Sequence, residues 1–150
     1  MSYQIKAAGG VVIDRGKILF IKKNGRWEFP KGRLKKDSKK KNTAIREICE
    51  ETGIQKKYLT IIKTLIPTHN NIKINGRSGV KKTFWFLVKF SGDEKTKLSP
   101  EKREGITKCK WLTINEVSST IKNSRPLVHY LWEYVLNDPH FIKHLKVGKI

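Results

Sequence analysis

The order of elements along the sequence predicts one mixed β-sheet covered by helices, an α/β or α+β domain. Three observations carry this prediction. Two apolar runs, at residues 4–13 and 17–22, flank Asp14-Arg15-Gly16 and read as a hairpin. A helical pattern at residues 39–52 follows, and several strand-like runs come after it. Helical patterns return near the end, at residues 113–121 and from Pro126 onward. No internal repeat or linker breaks the series, and 150 residues suit one domain, 1–150.

Within the first run, Ala7-Ala8-Gly9-Gly10-Val11-Val12-Ile13 is so rich in small residues that other backbone is expected to approach it closely. Ile18 to Ile21 make the second buried strand. Trp27-Glu28-Phe29-Pro30-Lys31-Gly32 ends in Pro and Gly, which are expected to stop regular pairing ahead of a basic loop. The helix at 39–52 has Asp37 or Ser38 as its expected N-cap and Gly53 at its C-cap. Its first turn holds Lys39, Lys40 and Lys41, the wrong sign for the positive end of a helix dipole, so tertiary contacts or an anion must account for them if they are not simply a cost. Strands are expected at 58–67, 71–74, 82–90 and 106–112, with Asn75-Gly76 as a turn and 92–103 as a polar loop. Thr113-Ile114-Asn115-Glu116 is a capping box opening a short helix. In the last helix Leu127, Tyr130, Leu131, Tyr134 and Val135 are expected on one face.

Composition narrows the classes. Four Trp, six Phe, four Tyr and 17 Ile supply too much apolar surface for a disordered chain. No apolar run approaches the roughly 20 residues a membrane span needs, and residues 1–10 do not read as a signal peptide. A cytoplasmic protein without a membrane partner is expected. Cys49 and Cys109 form no metal knuckle or disulfide framework and read as two buried thiols. The net charge of +20 rests on 26 Lys and only 7 Arg, a mixture that biased coding composition produces unaided. Such a field nonetheless attracts polyanions, and residues 31–41 are its densest run, with seven basic residues and Asp37.

The chemistry concentrates in the helix at 39–52. Ala44, Ile45, Ile48 and Cys49 share an apolar face, while Glu47, Glu50 and Glu51 stand at i, i+3 and i+4 away from it. Three converging carboxylates repel unless a cation lies among them. Oxygen-only donors suit Mg²⁺ or Mn²⁺ rather than zinc. A solvated acidic face is the competing interpretation; against it, three of only 13 acids fall within five positions.

Gly32 followed by Arg46-Glu47-Ile48-Cys49-Glu50-Glu51-Thr52-Gly53-Ile54 resembles the Nudix hydrolase signature, matching eight of nine specified positions across 23 residues. Gly9-Gly10-Val11-Val12, the segment Trp27 to Gly32, Glu104-Gly105-Ile106 and Trp111-Leu112 resemble the family's flanks. The departure is Ser38, where the family has a Glu that braces the motif's Arg and loop. Gly32, Ser38, Arg46 and Gly53 are thus expected to support the motif, with Asp37 or Glu50 as alternative partners for Arg46.

The resemblance implies an α/β/α sandwich around a mixed sheet. It also implies Mg²⁺- or Mn²⁺-dependent hydrolysis of a nucleoside diphosphate linked to another moiety. Glu47, Glu50, Glu51 and the backbone carbonyl of Lys31 are the implied metal ligands. A carboxylate must accept the water's proton; Glu47 is the first candidate and Glu104 the second, within an expected catalytic set of Glu47, Glu50 and Glu104. Lys31 and Arg33 are candidate phosphate clamps. Trp27, like Phe84 and Trp85, is a candidate for stacking on a base, although strand aromatics are more often core; His69 reads as a loop histidine. Subfamily markers are not clean: a Tyr near Asn71 is missing, and Pro67 falls early. Nucleoside polyphosphates of the diadenosine polyphosphate type are the leading substrate class. RNA 5′-end pyrophosphohydrolysis is the alternative, and a nucleotide- or RNA-binding module weakened by Ser38 is the third reading.

Overall fold

Alternating apolar residues build the sheet that the sequence predicts. A computed structural model describes residues 3–147. Strand β1 (Tyr3–Asp14) pairs antiparallel with β2 (Lys17–Lys23). It also pairs in parallel with β7 (Arg77–Phe90), in a register running from Tyr3 opposite Gly79 to Ile13 opposite Lys89. β7 carries β5 (Leu59–Thr64) and β6 (Thr68–Ile74) antiparallel along its other edge. β2 carries β3 (Arg26–Glu28) and β8 (Ile106–Thr113), also antiparallel. One parallel pair among antiparallel ones makes the sheet mixed.

Strand periodicity sends neighbouring residues to opposite faces, and both faces are covered. Ala8, Val12, Leu19, Phe86 and Val88 pack against Ala44, Ile45 and Ile48 of α1 (Lys40–Thr52). On the other face, Val11, Ile13, Phe20, Trp85 and Leu87 meet α2 (Ile114–Thr120), α3 (Pro126–Leu136) and α4 (Pro139–Val147) through Val117, Leu131, Val135 and Phe141. Each fully buried large side chain contributes about 1.5–3 kcal/mol. The result is the α/β/α sandwich that the family resemblance implies.

Several expectations are corrected. Pro30 and Gly32 do not end strand pairing: β4 (Lys31–Arg33) pairs with Ala7, Ala8 and Gly9 of β1. The small residues of β1 make this possible, since a Cβ on Gly9 would overlap the Pro30 carbonyl. The N-cap of α1 is Lys39, without a side-chain cap, because Asp37 takes a left-handed turn (φ +63°) and the Ser38 N–H bonds the Lys35 carbonyl. Lys40 is accounted for by a tertiary contact, its ammonium lying 3.9 Å from the Phe84 ring centre. Tyr130 points outward, 51% exposed, while Leu127, Leu131 and Val135 do face the core. His69 lies on β6 and not in a loop. Cys49 and Cys109 are free but half-buried, and burial pushes the Cys109 thiol up to about 11. No helix among the described residues is long and apolar enough to cross a membrane.

Helix α4 is an addition to the expected elements, and Asp138 docks it. The buried Asp138 carboxylate accepts from Lys63 Nζ of β5 at 2.6 Å and from the backbone N–H of His140 and Phe141. Burial raises its pKa, but these donors outweigh burial and hold the carboxyl below its usual value. Asp138→Ala is expected to cost about 2–3 kcal/mol in urea unfolding at pH 7, through a lost cap and a lost charged hydrogen bond. The difference shrinks as pH falls through the folded carboxyl's pKa.

Candidate active site

Helix geometry turns Glu47 and Glu51, one turn apart on α1, toward the sheet edge at β4. Both are buried, at 8% and 1% exposure, whereas the Glu50 side chain is 48% exposed. The three carboxylates therefore do not converge outward as a set. The third member of the close group is Glu104: Glu47, Glu51 and Glu104 each bring an oxygen within 4.8 Å of the others. Glu104 ends a 3₁₀ turn (Lys102–Glu104) before β8, and the Gly105 carbonyl after it accepts from the Asn24 N–H at the β2–β3 turn. That bond anchors the turn beside the helix.

Glu51 is the most constrained of the group. Its Oε1 accepts from the Lys31 N–H at 2.9 Å, while Oε2 is buried without a hydrogen bond, 3.6 Å from Lys23 Nζ. Burial pushes its pKa up to about 8, against the opposing pull of Lys23 and the Lys31 amide, and the Glu104 carboxyl pushes it further up. Glu47 is also raised, by burial and then by Glu50, with Arg46 opposing. Gly32 makes room for it: a Cβ there would overlap the Glu47 carboxyl. Gly53 closes α1 at φ +78°, its N–H on the Cys49 carbonyl.

Arg46 is held without the Glu that Ser38 replaces. Its Nη2 donates to Glu47 Oε2 at 3.1 Å and to the Arg33 carbonyl at 3.4 Å, and its Nε lies 3.6 Å from Glu50 Oε1. Glu50 is thus the alternative partner, and among the described residues Asp37 makes no ion pair with Arg46. Ser38→Glu is accordingly expected to change turnover by less than about threefold, because Nη2 already holds Arg46 to Glu47 and to the Arg33 carbonyl. Steady-state kinetics of the variant check this.

A cleft of about 680 Å³ opens over the group. Lys31, Arg33, Glu47, Glu50 and Glu104 line one side, and Ile72, Ile74 and Lys81 of the β6–β7 hairpin line the other. The Lys31 ammonium is buried against Glu28 Oε1 at 3.2 Å, while Arg33 is exposed at the rim. The aromatic candidates lie outside the cleft. Trp27 packs at the margin of the α3-side core, Trp85 is 1% exposed with its indole N–H on Thr68 Oγ1, and Phe84 is covered by Lys40 and Lys82. Lys23, Glu28 and Lys81 were not anticipated. Glu28 stands three residues before Lys31, a legible spacing, whereas Lys81 depends on the pairing of β7 with β1.

The donor set fits a hard divalent cation. It offers oxygens only, two of the three carboxylates are buried, and one buried oxygen lacks a hydrogen bond. Glu47, Glu51 and Glu104 are the residues that could hold Mg²⁺ or Mn²⁺, with Glu50 at the rim.

Comparison with known proteins agrees with this geometry. The NUDIX domain matches residues 4–131. The human protein "Nucleoside diphosphate-linked moiety X motif 6" is 26% identical over 136 residues, covering 84% of this chain and 39% of its own length. A "Putative mutator protein MutT4" from Mycobacterium tuberculosis is 31% identical over 118 residues, 79% of this chain and 42% of its own. The chain thus spans about two fifths of the length of these curated relatives. Among solved structures, an Ap4A hydrolase of C. elegans shares the fold with a TM-score of 0.63 at 20% identity, over 96% of this chain and 98% of that one. With the family match running from β1 into α3 and across the whole carboxylate cluster, the chain belongs to the NUDIX domain family.

Proposed function

We propose that the chain is a divalent-cation-dependent pyrophosphohydrolase acting on a nucleoside diphosphate linked to another moiety, with dinucleoside polyphosphates as leading substrates. The observation that carries this reading is the cluster of Glu47, Glu51 and Glu104 at the base of a cleft rimmed by cations. The name of the human relative, "Nucleoside diphosphate-linked moiety X motif 6", points to the same substrate class.

Bound Mg²⁺ or Mn²⁺ supplies charge neutralisation at the phosphates and a more acidic water. The chain's own residues do the rest. Glu47, Glu51 and Glu104 would hold the cation, with the backbone carbonyl of Lys31 as a further ligand, and the Lys31 N–H fixes Glu51 Oε1. Glu47 and Glu104 are the two carboxylates able to take the water's proton: Glu47 has one oxygen on Arg46, and Glu104 is exposed at the mouth. Arg33 and Lys35 at the rim attract the phosphates. With Trp27, Phe84 and Trp85 outside the cleft, weak selectivity among bases is expected.

The test is product release from dinucleoside polyphosphates, nucleoside triphosphates, nucleotide sugars and 5′-triphosphorylated RNA, with Mg²⁺ and with chelator. Turnover with the metal and none with chelator is expected; no turnover of any member with Mg²⁺ or Mn²⁺ overturns the reading. The exposed basic run continuing from Arg33 and Lys35 favours RNA 5′ ends as a second reading. A steep fall of RNA turnover with salt supports it, and equal turnover of free nucleotides and RNA counts against it.

A further inference from the structure

The N-terminus of α1 is left open by the chain. Its first backbone bond runs from the Thr43 N–H to the Lys39 carbonyl, so the amides of Lys40, Lys41 and Asn42 have no carbonyl within the helix to donate to. No side chain caps them and the first turn holds no acid. The Phe84 ring accounts for Lys40, but Lys39 and Lys41 remain exposed at the positive end of the helix dipole, where cations are unfavourable.

A cavity of about 540 Å³ opens beside this end of the helix. Lys39, Asn42, Thr43, Arg46 and Lys56 line it, with Asp37 as the acid among its walls. It is distinct from the substrate cleft: Glu47, Glu50 and Glu104 take no part in it, and Arg46 alone borders both. Two polar atoms are buried here without a hydrogen bond. Thr43 is 1% exposed and its Oγ1 has no partner, and Arg46 Nε has none either, since Glu50 Oε1 at 3.6 Å lies beyond hydrogen-bonding distance. Buried polar groups are ordinarily satisfied, so a pair of them beside three free amides needs a reason. Amides at a helix N-terminus, a hydroxyl, a guanidinium N–H and two ammonium groups together suit one chemistry, an oxyanion able to accept several hydrogen bonds.

We infer that this cavity is a phosphate site separate from the substrate cleft. The phosphate group accepts from the first-turn amides of α1, from the Thr43 hydroxyl and from Arg46 Nε, while Lys39 and Lys56 neutralise its charge. Two sources share that chemistry: free inorganic phosphate, and one phosphate of an RNA strand laid along the exposed Lys35 and Lys36. The site goes beyond the hydrolase reading and does not depend on it, because none of Glu47, Glu51 and Glu104 enters it.

The experiment is an amide NMR titration with inorganic phosphate, and separately with a 5′-hydroxyl single-stranded RNA, in chelator at constant ionic strength. Saturable shifts of the Lys40 and Lys41 amides are expected, with the Lys31 amide in the cleft unmoved. Thr43→Val should weaken phosphate about tenfold, and Thr43→Ser, which keeps the hydroxyl, should bind as wild type does. Asn42→Asp places a carboxylate in the cavity and should weaken phosphate at least about tenfold, whereas the exposed-loop control Lys97→Met should leave affinity unchanged. Without phosphate, Thr43→Val and Asn42→Asp should melt no lower than wild type, since one removes an unsatisfied hydroxyl and the other adds an acid to the first turn of α1. RNA that moves the same amides and is displaced by phosphate identifies a strand as the source; shifts with phosphate alone identify the free ion. Shifts that do not saturate or that miss Lys40 and Lys41, or wild-type affinity in both Thr43→Val and Asn42→Asp, overturn the site. Binding is read without metal or turnover, so absent hydrolysis overturns the hydrolase reading and leaves this site standing.

Discussion

Glu51→Gln is expected to lower kcat/KM on the order of 10³-fold, because it removes a charged oxygen from a cluster whose cation supplies several kcal/mol of charge stabilisation, at about 1.4 kcal/mol per tenfold. The same variant should make the metal-free protein more stable at alkaline pH. Glu51 holds its proton more tightly folded, with a pKa of about 8, than at its ordinary 4.5. Stability therefore falls as pH climbs from about 4.5 to about 8, and the full penalty is present above that. Gln carries no charge to bury. In chelator at pH 8.5 the variant should melt about 5 °C or more above wild type, and at pH 5 the two should be nearly equal. Adding Mg²⁺ or Mn²⁺ should raise the wild-type melting temperature and leave the variant's unchanged. A variant that is equally stable or less stable in chelator at pH 8.5 contradicts the account of the buried carboxylate.

Gly32→Ala should separate activity from folding in a different way. A Cβ at Gly32 would overlap the Glu47 carboxyl, which is the far end of a flexible side chain and not backbone. The fold can yield there, but only by moving Glu47 off the cluster and off Arg46 Nη2. A displacement of this size at a catalytic group costs about 10²-fold in turnover. Melting temperature should change by only a few degrees, and the metal-induced rise in melting temperature should shrink. Full activity in Gly32→Ala would show that the position of Glu47 over Gly32 is not required.

Much of this site is legible in the sequence because it lies on one helix. The spacing of Ala44, Ile45 and Ile48 determines which side of α1 is buried, and the spacing of Glu47 and Glu51 puts them one turn apart. What spacing does not reveal is that β4 and the 3₁₀ turn pack over the Glu47–Glu51 side, burying two acids and leaving Glu50 outside. Pro30 and Gly32 look like punctuation, yet β4 forms because Ala7, Ala8 and Gly9 of β1 admit it. Asn137-Asp138-Pro139 is a readable stop and restart, and α4 follows it. Local sequence offers Asp37 and Glu50 as partners for Arg46 but not the Arg33 carbonyl, which meets Arg46 only through packing of α1 on β4. Lys81 has no local signature at all. It reaches the cleft through a parallel register between strands more than 70 residues apart in the chain.

In the absence of metal the buried Glu51 carboxyl, its pKa pushed up to about 8, keeps its proton at neutral pH and must surrender it to bind a divalent cation. Titration calorimetry of Mn²⁺ at pH 7, in buffers of different ionisation enthalpy, counts the protons released on binding. About one proton per bound cation is predicted for wild type, from a Glu51 pKa of about 8, and none for Glu51→Gln, whose binding should also be much weaker. Wild-type binding without proton release, or unaltered binding in Glu51→Gln, would contradict it.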